Sequence, residues 1–111
     1  MQTRTLIAVV LSAAIGSCAV AGSGRELTID QAHHAYYQGQ FRRSLLMYEQ
    51  LAAQGNAEAA ERAGFMLVQG DGLYGRQVRR DLERATVLLT RAAKAGRPGA
   101  GFMLNMLERT D

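Results

Sequence analysis

The sequence predicts an all-α fold, and three observations predict it. The chain is rich in Ala and Leu, has no Trp and one Pro, and uses few β-branched residues after Val20, a composition that favours helix over sheet. The stretch Ala57–Gly101 holds two amphipathic segments, one running from behind Asn56 to Gly70 and the other from behind Asp81 to Gly96. Each opens on a capping residue and closes on Gly. Each also carries small residues on one side with large apolar ones beside them, so neither buries its apolar face alone. Finally, Ser44, Tyr48, Leu51 and Gly55 lie over Ala85, Leu89, Ala92 and Gly96 at a constant offset of 41 (85 − 44, 96 − 55). A fixed period of this size marks a helical repeat.

The chain has 111 residues, enough for one domain, and 48% of them are hydrophobic, which suits a globular core. Thirteen basic residues against ten acidic give a mild excess of +3, too little to argue for nucleic acid. One cysteine allows no internal disulfide.

The N-terminus has the layout of a secretory signal over residues 1–21. Met1–Arg4 is basic, Leu6–Ile15 apolar, and Gly16–Ala21 rich in small residues. The apolar run is about half the ~20 residues of a membrane-spanning helix. Two cleavage sites are legible. Ile15-Gly16-Ser17-Cys18 resembles a bacterial lipobox, which implies cleavage after Ser17 and lipid attachment at Cys18. Ala19-Val20-Ala21 is an ordinary A-x-A site that would leave a protein beginning at Gly22. The first implies an outer-membrane lipoprotein facing the periplasm, since no Asp follows the cysteine; the second implies a soluble periplasmic protein.

Residues 22–27 read as a flexible lead to a helical domain over residues 28–109. Thr28 and Gln31 form a capping box, with Asp30 in the first turn. The first helix reaches about Gln38 and breaks at Gly39. A second runs from Phe41 to Gln54 and stops at Gly55. The third, capped by Asn56, ends at Gly70. A loop, Asp71–Arg80, precedes the fourth, which Asp81 caps and Gly96 ends. Pro98 suits the first turn of a fifth helix, Pro98–Arg109. Gly64, Ala85 and Ala92 are expected where helix backbones touch. Leu82, Leu88, Leu89, Met66 and Leu67 are expected to fill the layer beside them, and Phe102 and Met103 to close the core.

Ala57, Ala59, Gly64, Gly70 and Gly72, followed by Val78, Asp81, Arg84, Ala85, Leu88, Arg91, Ala92, Ala93 and Gly96, resemble a Sel-one-like repeat, a relative of the tetratricopeptide repeat. Ala63 and Leu67 stand where the family has Leu and Tyr, and Leu73–Gln77 is an insert. Phe41–Gly55 is similar to the second half of an earlier repeat and Ala100–Leu107 to an unpaired first helix. The resemblance implies a short right-handed α-solenoid of antiparallel helix pairs, about two and a half repeats and five helices.

No Ser–His–acid set with recognisable context is present, so no enzyme activity and no cofactor is expected. His33 and His34 are adjacent, pointing about 100° apart on a helix, whereas a metal pair needs i, i+4 spacing. Gly70-Asp71-Gly72 lacks the further residues of a phosphate or calcium loop. In repeats of this kind the first helices line a concave face that binds peptides. Carried over, that face gives His33, Tyr36, Tyr37, Glu58, Glu61, Phe65, Val68 and Met106, several of them types favoured at interfaces. An alternative is an Arg stripe, Arg76, Arg79, Arg80, Arg84 and Arg91, that meets anionic lipid, a glycan or an acidic partner. The expected partner is an envelope protein or peptide, not nucleic acid. The Met-rich last helix is available for homodimer contact or for docking on a larger enzyme.

Overall fold

The computed structural model describes residues 26–110; the stretch read as a signal sequence, both expected cleavage sites and Cys18 lie outside them. The described residues are all-α: α1 (Ile29–Tyr37), α2 (Phe41–Ala53), α3 (Ala57–Gln69), a single turn α4 (Asp71–Tyr74) continuing into a 3₁₀ turn (Gly75–Gln77), α5 (Leu82–Lys94) and α6 (Pro98–Arg109). Among the described residues there are thus six helices where the sequence predicts five. The addition lies in the expected Asp71–Arg80 loop, where Tyr74 is buried and draws its segment into a helical turn.

Local chemistry sets most boundaries. The Thr28 hydroxyl accepts from the Gln31 N–H at 3.2 Å, and the Gln31 side chain accepts from the Thr28 N–H at 2.9 Å. Asn56 caps α3 through the Ala59 N–H, and Asp81 caps α5 through the Arg84 N–H. Gln40, at the start of α2, makes no side-chain cap. Gln77 supplies it from 35 residues away, accepting from the Arg42 N–H at 3.3 Å and donating to the Gly39 carbonyl at 2.9 Å. Gly70 ends α3 at φ +52°, and a Cβ there would lie 2.4 Å from the Arg80 backbone, so conformation and close approach both demand glycine.

Packing follows chain order: α1 on α2, α2 on α3, α3 on α5 and α5 on α6, with α3 also touching α6. The tightest approach joins α3 to α5. A Cβ on Gly64 would lie 2.6 Å from Leu89 Cγ and 3.5 Å from the Ala85 carbonyl. Leu89, Ala85 and Ala92 are fully enclosed, and Leu88, Met66 and Leu67 are buried, as expected. Leu82 is not: it stands in the first turn of α5 and is 39% exposed. Phe102 is also corrected, at 65% exposed. Helix α6 buries Ala100 and packs Met103, Leu104 and Leu107 on the core, a stripe at i, i+3, i+4 and i+7 that turns Phe102 outward.

The offset of 41 recurs in three dimensions. Ser44 and Ala85, Tyr48 and Leu89, and Leu51 and Ala92 are buried pair by pair. The turns after α2 and α5 close alike: the Asn56 N–H donates to the Leu51 carbonyl and the Arg97 N–H to the Ala92 carbonyl, both at 3.0 Å.

Candidate functional site

Helices α1 and α3 meet through a polar chain. His33 Nδ1 lies 2.5 Å from the Tyr48 hydroxyl and its Nε2 lies 3.3 Å from Glu58, which Arg62 approaches at 3.8 Å. Burial pushes the Tyr48 phenol upward from its ordinary value, favouring the protonated form. A His33 tautomer protonated on Nε2 fits this placement: Tyr48 donates to Nδ1, and the Nε2 edge faces the Glu58 carboxylate. His34 turns away into a cleft between α1 and α2 bordered by Asp30, Arg43 and Met47, so the two histidines do not converge. Among the described residues no three or more His, Cys, Asp or Glu side chains gather as a metal site.

Beside that chain stands an aromatic cluster. The Tyr36 and Tyr74 hydroxyls are 2.9 Å apart, and Phe41 packs between their helices with ring centroids 5.2 Å from Tyr36 and 4.8 Å from Tyr74. Burial, reinforced by the Tyr36 hydroxyl, holds the Tyr74 phenol far above its ordinary range. Tyr37 meets Tyr36 edge-on at 5.5 Å and is 76% exposed.

Helix α3 is joined to α6 by an ion pair. Arg97 donates from Nε at 3.0 Å and from a terminal nitrogen at 2.7 Å to one oxygen of Glu61. That bonding raises the Arg97 pKa. The other Glu61 oxygen and the Phe65 ring lie against Gly99, where a Cβ would be 2.7 Å from the oxygen and 3.4 Å from the ring. Glu61 is therefore buried and committed within the fold. Phe65 and Val68 are half-buried against the core. Met106, two turns along from Gly99, shares its side of α6 and is 47% exposed.

The structure thus joins His33 to Glu58 across α1 and α3 and sets Glu61 and Phe65 against the start of α6, whereas Tyr36 packs on Phe41 and Tyr74, and Tyr37 and Met106 stand exposed on α1 and α6. Of the five arginines of the alternative, Arg76, Arg79 and Arg84 line one cleft, while Arg80 and Arg91 do not join them there. Arg84 pairs with Glu49 on α2 and with Asp81 at 3.8 Å, and Arg91 donates to the Ala52 carbonyl at 3.5 Å, so both brace α5 against α2. Arg80 lends its backbone to the Gly70 contact. Arg76 and Arg79 line open clefts beside the 3₁₀ turn. Sequence reasoning missed Tyr48, Tyr74 and Gln77. The lack of a Ser, Thr, Asp or Asn cap before Phe41 was the available hint that α2 needs a donor-acceptor from elsewhere.

No protein-family model matches the chain, and neither the curated proteins nor the solved structures contain a significant match to it.

Proposed function

We propose that the chain is a non-enzymatic protein-binding module of Sel-one-like, tetratricopeptide-like type. In this reading its helices form a short right-handed α-solenoid of antiparallel pairs, and the α1–α3–α6 side captures a peptide or protein partner. The observation that carries it is the pair of side-chain ties, His33–Glu58 and Glu61–Arg97, that link these three helices in series while Tyr37 and Met106 stay exposed and Tyr36, Phe65 and Val68 stay half-exposed. A rigid, apolar-studded surface is what a docking peptide needs, because little side-chain entropy is lost on binding. His33 and Glu61 act in this reading as fasteners of the surface rather than as contacts. The signal layout and Cys18 support a place in the cell envelope, anchored by lipid or free in the periplasm.

A second reading rests on Phe102, 65% exposed beside Met106: α6 docks on a second copy or on a larger envelope protein.

A crosslinked pull-down from the envelope fraction tests both. The wild type is compared with a Tyr37→Ala, Phe65→Ala variant and a Phe102→Ser variant, each shown by circular dichroism to keep its helices. Loss of a partner in the first variant alone supports the α1–α3–α6 surface. Loss in the Phe102→Ser variant alone moves the site to the outer side of α6. Retention in both rejects both surfaces.

A further inference from the structure

Three adjoining clefts run where α2 meets the Gly75–Asp81 segment. The first, about 460 Å³, begins at Gly39 and Arg43 and shares Arg42, Leu46 and Gln77 with the second. The second, about 330 Å³, shares Arg76, Val78 and Arg79 with the third, about 470 Å³, which ends at Asp71 and Gly75. The side chains they share stand between them, Arg42 and Gln77 bridging from α2 to the facing segment, so the three lie side by side as a segmented trough.

Its charge is unbalanced. Glu49 and Asp81, the acids of the middle cleft, are both paired with Arg84. Arg42, Arg43, Arg76 and Arg79 have no carboxylate partner among the described residues. Two of them are held in place by neutral acceptors: Arg42 donates to the Arg76 carbonyl at 3.2 Å, and Arg43 to the Gln40 side chain at 3.3 Å. Such bonds fix a guanidinium without neutralising it. Asp71, at the far end, is the one acid lining the trough that has no cation partner among the described residues. Between the arginines the trough is apolar: Leu45, Leu67 and Val78 form its buried floor, and Leu46 stands 61% exposed at its rim.

We propose that this trough binds an extended acidic segment of a partner protein, one in which carboxylates alternate with apolar side chains. Arginine matches carboxylate with paired, planar donors. An extended chain sends successive side chains to opposite sides, so carboxylates reach the Arg-lined walls while apolar residues reach the exposed Leu46 at the rim. A polyanionic glycan offers charge without the apolar half of this match, and a bilayer surface is too flat to follow a trough. The surface is separate from the α1–α3–α6 side and binds whether or not that side does.

Fluorescence anisotropy on the full chain tests this, with a labelled short peptide alternating Glu and Leu as probe. The expected result is binding that weakens as salt rises, and that falls about tenfold in an Arg76→Gln, Arg79→Gln variant with an unchanged melting curve. Leu46→Ser should weaken binding without altering its salt dependence. No binding at low salt, or equal binding by the double variant, overturns the proposal. Equal binding of a Glu–Ser peptide overturns it too, as does tighter capture of a sulfated oligosaccharide or of vesicles rich in anionic phospholipid.

Discussion

Helices α2 and α5 bury the same positions at the same spacing, yet hold them by different chemistry. Helix α5 presents Ala85 and Leu89, both fully enclosed, and is capped by its own Asp81. Helix α2 presents Ser44 and Tyr48 and is capped from a distance by Gln77. The Tyr48 hydroxyl meets His33, whereas the Ser44 hydroxyl has no hydrogen-bond partner among the described residues. At these buried positions one helix is seated by shape, its polar contacts to α2 coming from Arg84 and Arg91 outside them. The other is seated by shape together with polar contacts that reach three other parts of the chain. Close packing tolerates little change in volume at either helix, and the α2 position at Tyr48 is sensitive in addition to loss of its polar partner.

The largest effect should come from breaking shape in α5. Ala85→Leu drives a branched side chain into the Gly64 contact and should lower stability by about 2–3 kcal/mol, read as a shift in urea midpoint at constant slope. Tyr48→Leu makes α2 resemble α5 but strands the His33 ring nitrogen. A loss of about 2 kcal/mol is expected, partly recovered in the His33→Leu, Tyr48→Leu double variant; a cycle without coupling would show that the 2.5 Å contact contributes nothing. Gln77→Ala and Asp81→Ala should each cost about 1 kcal/mol, but the first should raise hydrogen exchange at the start of α2 and the second at the start of α5. Ser44→Ala removes a buried hydroxyl that has no partner among the described residues and should stabilise by a fraction of a kcal/mol, since about 1 kcal/mol of desolvation is removed at little loss of packing.

Alkaline titration sharpens the same contrast. The phenols of Tyr48 and Tyr74 are raised in the folded state above their ordinary value of 10.0. The stability they contribute is therefore complete below pH 10 and is lost as pH rises above it. Tyr74→Phe should flatten the decline above pH 10 in an equilibrium-unfolding series, while variants in α5, which carries no tyrosine, should leave its slope unchanged.

The features legible in the sequence were local ones. Thr28, Asn56 and Asp81 announce helix starts because a cap acts within three residues, and Gly39, Gly55, Gly70 and Gly96 announce stops for the same reason. The face that α5 buries was legible from its period. The turn Asp71–Tyr74 was not, because Tyr74 is ordered by Tyr36 and Phe41, more than 30 residues earlier. Glu61 and Phe102 show the same limit at the candidate site. Composition makes one a surface acid and the other a core aromatic, but Arg97 draws Glu61 inward and the pitch of α6 turns Phe102 out. Arg42 and Arg43 escaped notice as partners of Arg76 and Arg79 because only the returning chain brings them together.

Gln77 has a further consequence, for the order in which the molecule comes apart. Helices held only by their nearest neighbours open locally before the rest of a molecule unfolds. Here the amide of Gln77 grips both strands of the turn between α1 and α2, and Arg42 returns a bond to the Arg76 carbonyl. Helices α1 and α2 are thereby latched to the segment that leads into α5. Opening α1 and α2 breaks these bonds as well, which ties their release to that of the segment before α5.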